Sequence, residues 1–175
     1  MKKTRRLVLL ALLISQALVL HYIEGFFPVL APGAKLGLAN IFTLVTLILF
    51  GFRDAMAVVI IRSIMGPLLG GSPTAVLYSL AGGTLSGLVM GILYTYLRKY
   101  FSLIGISTAG AVFHNIGQLI VASWFYGTIG IFFTYLPLLM IAAAITGYFI
   151  GLASKYMVRF LEPLFLKNSY RLGSK

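Results

Sequence analysis

Six apolar runs, each cut from the next by a short stretch of glycine, proline or basic residues, constrain this chain more than any other feature. They are Leu7 to Phe27, Leu36 to Phe52, Asp54 to Leu69, Thr74 to Leu97, Leu103 to Tyr126, and Ile129 to about Leu161. A helix needs about 20 mostly apolar residues to cross about 30 Å of hydrocarbon. Inside a bilayer, backbone N–H and C=O groups must pair within the protein, so runs of this kind fold as helices. The expected fold is an all-α membrane bundle of six transmembrane helices, forming one integral membrane domain over residues 1–175.

Composition supports this class. Hydrophobic residues make up 60% of the 175-residue chain and charged residues only 10%. Soluble domains carry about 25% charged residues, so too few charges are present to cover a surface facing water. The net charge of +11 is not a nucleic-acid signature, because the basic residues cluster at the ends of the apolar runs. With the N-terminus inside, every lysine and arginine except Lys35 and Arg62 falls in an inside segment. This asymmetry implies that both termini are cytosolic, in a cell (inner, cytoplasmic) membrane. The start, MKKTRRLVLLALL, has the basic-then-apolar order of a signal peptide. It lacks an A-x-A cleavage site and reads as an uncleaved first helix. The SKYMVRFLEPLFLK end of the sixth run is amphipathic and is expected to lie along or project past the cytosolic surface.

Two glycine patterns bear on packing. Gly83, Gly87 and Gly91 recur every four residues on the fourth run, and Ala143, Gly147 and Gly151 do so on the sixth. Small residues at this spacing let helix backbones approach closely, within one bundle or between subunits.

Arg62 is the anomaly. It stands nine residues beyond Arg53, which at about 1.5 Å per residue is near mid-bilayer. There an arginine costs about 3 kcal/mol by insertion scales and requires a partner, a wet cavity or an anionic ligand. The chain has three acidic residues, Glu24, Asp54 and Glu162, and of these only Glu24 lies within reach of Arg62. The fifth run adds His114, Asn115 and Gln118 within one helical turn, at similar depth. Lys35 stands at the entry to the second run, Asn40, Thr43 and Thr46 lie on it, and His21 and Glu24 share a face at the outer end of the first. Together these residues suggest a polar, net-positive cavity in the outer half of the bundle, suited to a small anionic or amphipathic solute. The expected substrate-binding residues are Arg62 and Lys35 for a negative group, with Asn40, His114, Asn115 and Gln118 giving directional hydrogen bonds. Glu24 is expected to pair with Arg62 in the empty state or to touch the solute. The segment Pro28–Lys35, broken by Pro and Gly, is a candidate lid.

Several chemistries are excluded. No G-x-x-x-x-G-K-[ST] loop is present, and no H-E-x-x-H or Ser-His-Asp set. Cysteine is absent, and Asp54 is the only aspartate. Chemistry on a diphosphate usually needs several carboxylates to hold Mg²⁺, which this chain cannot assemble. No catalytic residues, metal site or cofactor are expected.

The segments Pro32–Gly51, VVIIRS, Leu68–Ser86 and Gly105–Ala122, with the blocks K-x-G-L-A-N and H-N-x-G-Q, carry a resemblance. They resemble the heptaprenyl diphosphate synthase component I family, also called Gx transporters, over about Ala11 to Ala153. That family is in turn similar to the substrate-binding S components of energy-coupling factor (ECF) vitamin transporters. The resemblance implies a six-helix protein that captures a solute outside and toggles when docked to a transmembrane T component and two ATPases. It also implies a small-xxx-small docking motif on the first helix, here Ala11 and Ser15. The synthase name leaves a second reading open, a non-catalytic membrane subunit of an isoprenoid or quinone-biosynthesis assembly.

Overall fold

A computed structural model describes residues 3–27, Ala31 and residues 35–170, with side chains through residue 163. Its described residues form six helices and no strand. These are α1 (Lys3–Glu24), α2 (Asn40–Phe50), α3 (Phe52–Leu69), α4 (Ala75–Tyr96), α5 (Leu103–Phe125) and α6 (Gly130–Tyr170). Most of the expected lid, Pro28–Leu30 and Pro32–Ala34, lies outside the described residues.

Four of the six helices are long and apolar enough to cross a membrane: α1, α4, α5 and α6. The other two of the six expected spans are shorter or more charged. Helix α2 has 11 residues, about 16 Å at 1.5 Å per residue, or half a crossing. Helix α3 has 18 residues but carries Arg53, Asp54 and Arg62. The two are joined through Gly51 alone, whose φ of +92° suits a residue without a side chain. The expected break at Arg53 is therefore the first turn of α3. At the other end, α6 continues unbroken to Tyr170, through Pro137 and Pro163.

Why α2 is short follows from its surroundings. Phe42, Thr43, Leu44, Val45, Thr46 and Leu47 are all buried, so every side of this helix faces protein. A helix apolar all round belongs at the centre of a bundle. Phe42 and Val45 pack with Leu13 and Ala17 of α1 and Val158 of α6. Leu44 and Leu47 pack with Ala55, Met90 and Ile106 from α3, α4 and α5. The residues just before α2, Leu36 to Ala39, were expected to be helical and are not. Gly37 turns there with φ +77°, and its position stands against the side chains of Asn40 and His114. Irregular backbone at membrane depth is tolerated only where protein or a cavity surrounds it.

The small-residue stripes are used within the chain. Gly83, Gly87 and Gly91 face Ser63, Val59, Met56 and Phe52 of α3. Gly147 and Gly151 face Thr108, Ser107 and Ile104 of α5. Ser107 Oγ reinforces that seam by donating to the Gly147 carbonyl at 2.6 Å. At one end of the bundle, Arg6 of α1 pairs with Asp54 of α3 at 2.6 Å. That contact places the starts of α1 and α3 together, so the two helices run side by side toward Glu24 and Leu69. Ala11 and Ser15 lie on an exposed face of α1, where Ser15 Oγ donates to the Ala11 carbonyl of its own helix at 2.9 Å.

Candidate functional site

The end of the bundle opposite the Arg6–Asp54 pair gathers most of the polar groups. The reason is local. Because α2 begins only at Asn40, the stretch from Lys35 to Ala39 runs through the bundle with backbone N–H groups that no helix satisfies. Side chains from α1 and α5 supply the acceptors. Glu24 takes the Leu38 N–H, and Gln118 Oε1 takes the Lys35 N–H at 3.2 Å. A buried N–H without a partner would cost about 1–3 kcal/mol, so these bonds fix where the stretch can sit.

Donor and acceptor roles follow around the cluster. Lys35 Nζ stands 3.0 Å from His21 Nε2. An ammonium only donates, so Nε2 accepts and the imidazole proton sits on Nδ1. That nitrogen faces Glu24 Oε2 at 4.0 Å. On α5, Gln118 already accepts through Oε1, so its Nε2 donates to His114 Nε2 at 3.0 Å. The His114 proton is then on Nδ1, which is buried without a hydrogen-bond partner. Arg62 Nη2 donates to Asn40 Oδ1 at 2.5 Å. Asn115 Nδ2 donates to the Leu139 carbonyl of α6 at 2.8 Å.

Arg62 is 1% exposed, and so is Asn40. The expected Arg62–Glu24 ion pair does not form. Glu24 instead stands 4.0 Å from His21 Nδ1. The physical reason is that Glu24 is drawn to the unpaired backbone N–H of Leu38, while Asn40, at the start of α2, meets the guanidinium.

Two spaces adjoin this cluster. The larger, about 330 Å³, is lined by His21, Glu24, Lys35, Asn115, Ser72 and Thr146, with Tyr22, Phe26 and Phe27 among its aromatic residues. The smaller, about 10 Å³, has room for one water-sized particle and is lined by Arg62, His114, Gly37, Tyr78 and Ser79. His21, Glu24 and Lys35 line both. Of the seven residues expected from sequence, Lys35, Glu24 and Asn115 thus line the larger cavity. Arg62, Asn40, His114 and Gln118 do not line it. They are buried in the network behind it. His21 lines both spaces, and its ring packs against Gly66 of α3. Ser79 and Tyr78 were not read from the sequence as site residues. Their only signal was a position one to two turns after the Gly-Gly-Ser-Pro break. Among the described residues no group of His, Asp and Glu side chains is arranged to hold a metal ion.

A bundle of six helices, four of them long and apolar enough to cross a membrane, with a non-helical stretch from Lys35 to Ala39 held by buried polar side chains, is that of a membrane protein. The family model for heptaprenyl diphosphate synthase component I matches residues 13–157. The chain belongs to that family. No curated protein and no solved structure matches it.

Proposed function

We infer that the chain is a non-enzymatic, substrate-binding membrane subunit of a transporter, of the ECF S-component type, taking up a small anionic or amphipathic vitamin-like solute. The observation that carries this reading is the cavity of about 330 Å³ beside Lys35, His21, Glu24 and Asn115. Its size is at the lower end of small-molecule sites, and it combines aromatic walls with a few convergent polar groups. In this reading Lys35 meets the solute's negative group, and Asn115, Ser72 and Thr146 give direction. Arg62, Asn40, His114 and Gln118 hold the floor. The N- and C-termini face the cytosol, the cavity faces outward, and the exposed Ala11–Ser15 face of α1 docks a T component whose ATPases supply energy.

The experiment is mass spectrometry of small molecules retained by the purified full chain. A single solute is expected with the wild type, and its loss is expected in Lys35→Ala. Empty protein from cells that contain every vitamin-like anion would sink the reading.

The family description favours one second reading, a non-catalytic membrane subunit of an isoprenoid or quinone-biosynthesis assembly. Its word "component" fits association with other subunits. In that case the three carboxylates are too few and too dispersed for diphosphate chemistry: Asp54 binds Arg6, Glu24 holds Leu38, and Glu162 lies near the far end of α6. Stable co-purification with a soluble prenyl synthase, with no small molecule bound, would select this reading over the first.

A further inference from the structure

The smaller space has a charge problem that the larger cavity does not solve. Arg62 is fully buried and has no carboxylate within ion-pair distance. Its Nη2 is used by Asn40, but its Nε has no hydrogen-bond partner. Asn40 accepts from Arg62 through Oδ1, so its Nδ2 is a donor, and it too is unpartnered. Asn40 stands behind the small space, whereas His114 lines it, with its Nε2 used by Gln118 and its Nδ1 unpartnered. The hydroxyl-bearing residues Ser79 and Tyr78 complete the wall. One carboxylate, Glu24, also lines it, but Glu24 already serves the Leu38 N–H and faces His21. Two cations, Lys35 and Arg62, therefore stand beside one acid, and the cluster is one negative charge short. A buried charge needs a counter-charge or it strongly destabilises the fold.

We propose that the space beside Arg62 is a binding site for one monatomic anion, chloride in the cell. A single particle fits the volume, so an organic solute does not. The ion takes hydrogen bonds from Arg62 Nε and His114 Nδ1, both on residues that line the space, and neutralises the guanidinium. Water would satisfy the two donors but would leave the positive charge unbalanced. His21, Glu24 and Lys35 wall this site off from the larger cavity, so the proposal stands whether or not that cavity takes a solute.

The test uses the purified full chain in detergent, with chloride exchanged for gluconate at constant ionic strength. Gluconate is too large for the space. The wild-type unfolding midpoint is expected to be about 3 °C higher in chloride. Chloride-35 NMR should show saturable line broadening that bromide competes away. Arg62→Gln should abolish both effects, and Lys99→Gln, at an exposed site in the turn after α4, should keep both. Arg62→Gln risks misfolding, so Asn40→Asp is the second variant. It is nearly isosteric, keeps the acceptor for Arg62 and supplies the missing charge internally. It should be folded, insensitive to chloride and free of excess broadening. Equal midpoints in the two salts with no saturable broadening in the wild type would mean that the space holds water only. Chloride dependence that survives in folded Asn40→Asp would overturn the assignment equally.

Discussion

Arg62 Nη2 and Asn40 Oδ1 meet at 2.5 Å, and that bond ties the middle of α3 to the first residue of the half-length α2. Both residues are 1% exposed. The bond links two facts that look separate in the sequence: why α2 begins where it does, and how an arginine survives at that depth. Hydrogen bonds to charged groups contribute about 1.5–3 kcal/mol. Asn40→Ala removes the acceptor without adding bulk. We expect it to lower the thermal unfolding midpoint by roughly 6 °C in detergent. A shift under one degree would show that the guanidinium has another adequate partner.

Glu24 has a different task from the one its charge suggests. It accepts the Leu38 N–H and so pins the non-helical approach to α2. Glu24→Gln keeps an acceptor oxygen of the same reach, whereas Glu24→Ala does not. Hydrogen exchange at the Leu38 amide should be about ten- to hundredfold faster in the alanine variant and change much less in the glutamine variant. Equal acceleration in both would assign the effect to lost charge, not to the lost acceptor.

The glycines divide by what stands opposite them. A methyl group at Gly117 would lie 2.6 Å from the Ala81 carbonyl oxygen and 2.8 Å from Gly82 Cα, both backbone atoms that cannot swing away. At Gly105 the nearest atom is 3.5 Å off. Gly117→Ala should therefore destabilise by about 1–3 kcal/mol as an overpacked contact. Gly105→Ala should be neutral or stabilise by about 0.5 kcal/mol, because alanine loses less backbone entropy in a helix. Unfolding midpoints of the two variants, measured side by side, test the opposite signs.

Arg6 and Asp54 hold together the starts of α1 and α3, with the Arg6 side chain half exposed. Exposed pairs contribute about 0–1 kcal/mol and weaken with salt. Asp54→Asn should lower the midpoint by no more than about 3 °C at low salt, and by less at 0.5 M salt. A larger, salt-independent loss would mean that Asp54 supports the α2–α3 junction by some other route.

What was legible in the sequence was what depends on composition and period. Long apolar runs located α1, α4, α5 and α6, because lipid-facing helices must be apolar over their whole length. The same rule misled at Leu36–Phe52. A helix buried at the centre of a bundle is as apolar as one facing lipid, so hydropathy cannot tell half a crossing from a full one. The polar residues were recognised as a group because ionisable side chains at that depth are rare. Their partners were not legible. Glu24 and Arg62 are natural partners by charge, but the unwound segment from Lys35 to Ala39 offers Glu24 a backbone donor that the sequence does not announce. Likewise His114 and Gln118 share a helix face and do bond each other. That they stand behind the larger cavity, and Asn115 beside it, depends on a rotation of α5 that only packing against α4 and α6 decides.

Ala142 of α6 lines the larger cavity opposite no charged partner of its own, which makes it a probe of space alone. If the cavity holds a solute, filling it should matter as much as removing Lys35. Ala142→Phe inserts a ring into a space of about 330 Å³. The cavity is already empty of protein atoms, so the overpacking cost of about 1–3 kcal/mol seen in filled cores should be largely avoided. We expect an unfolding midpoint within about 3 °C of wild type and loss of the retained small molecule in mass spectrometry. Full retention of the solute by folded Ala142→Phe would move the binding site away from this cavity, even if Lys35→Ala still abolished binding.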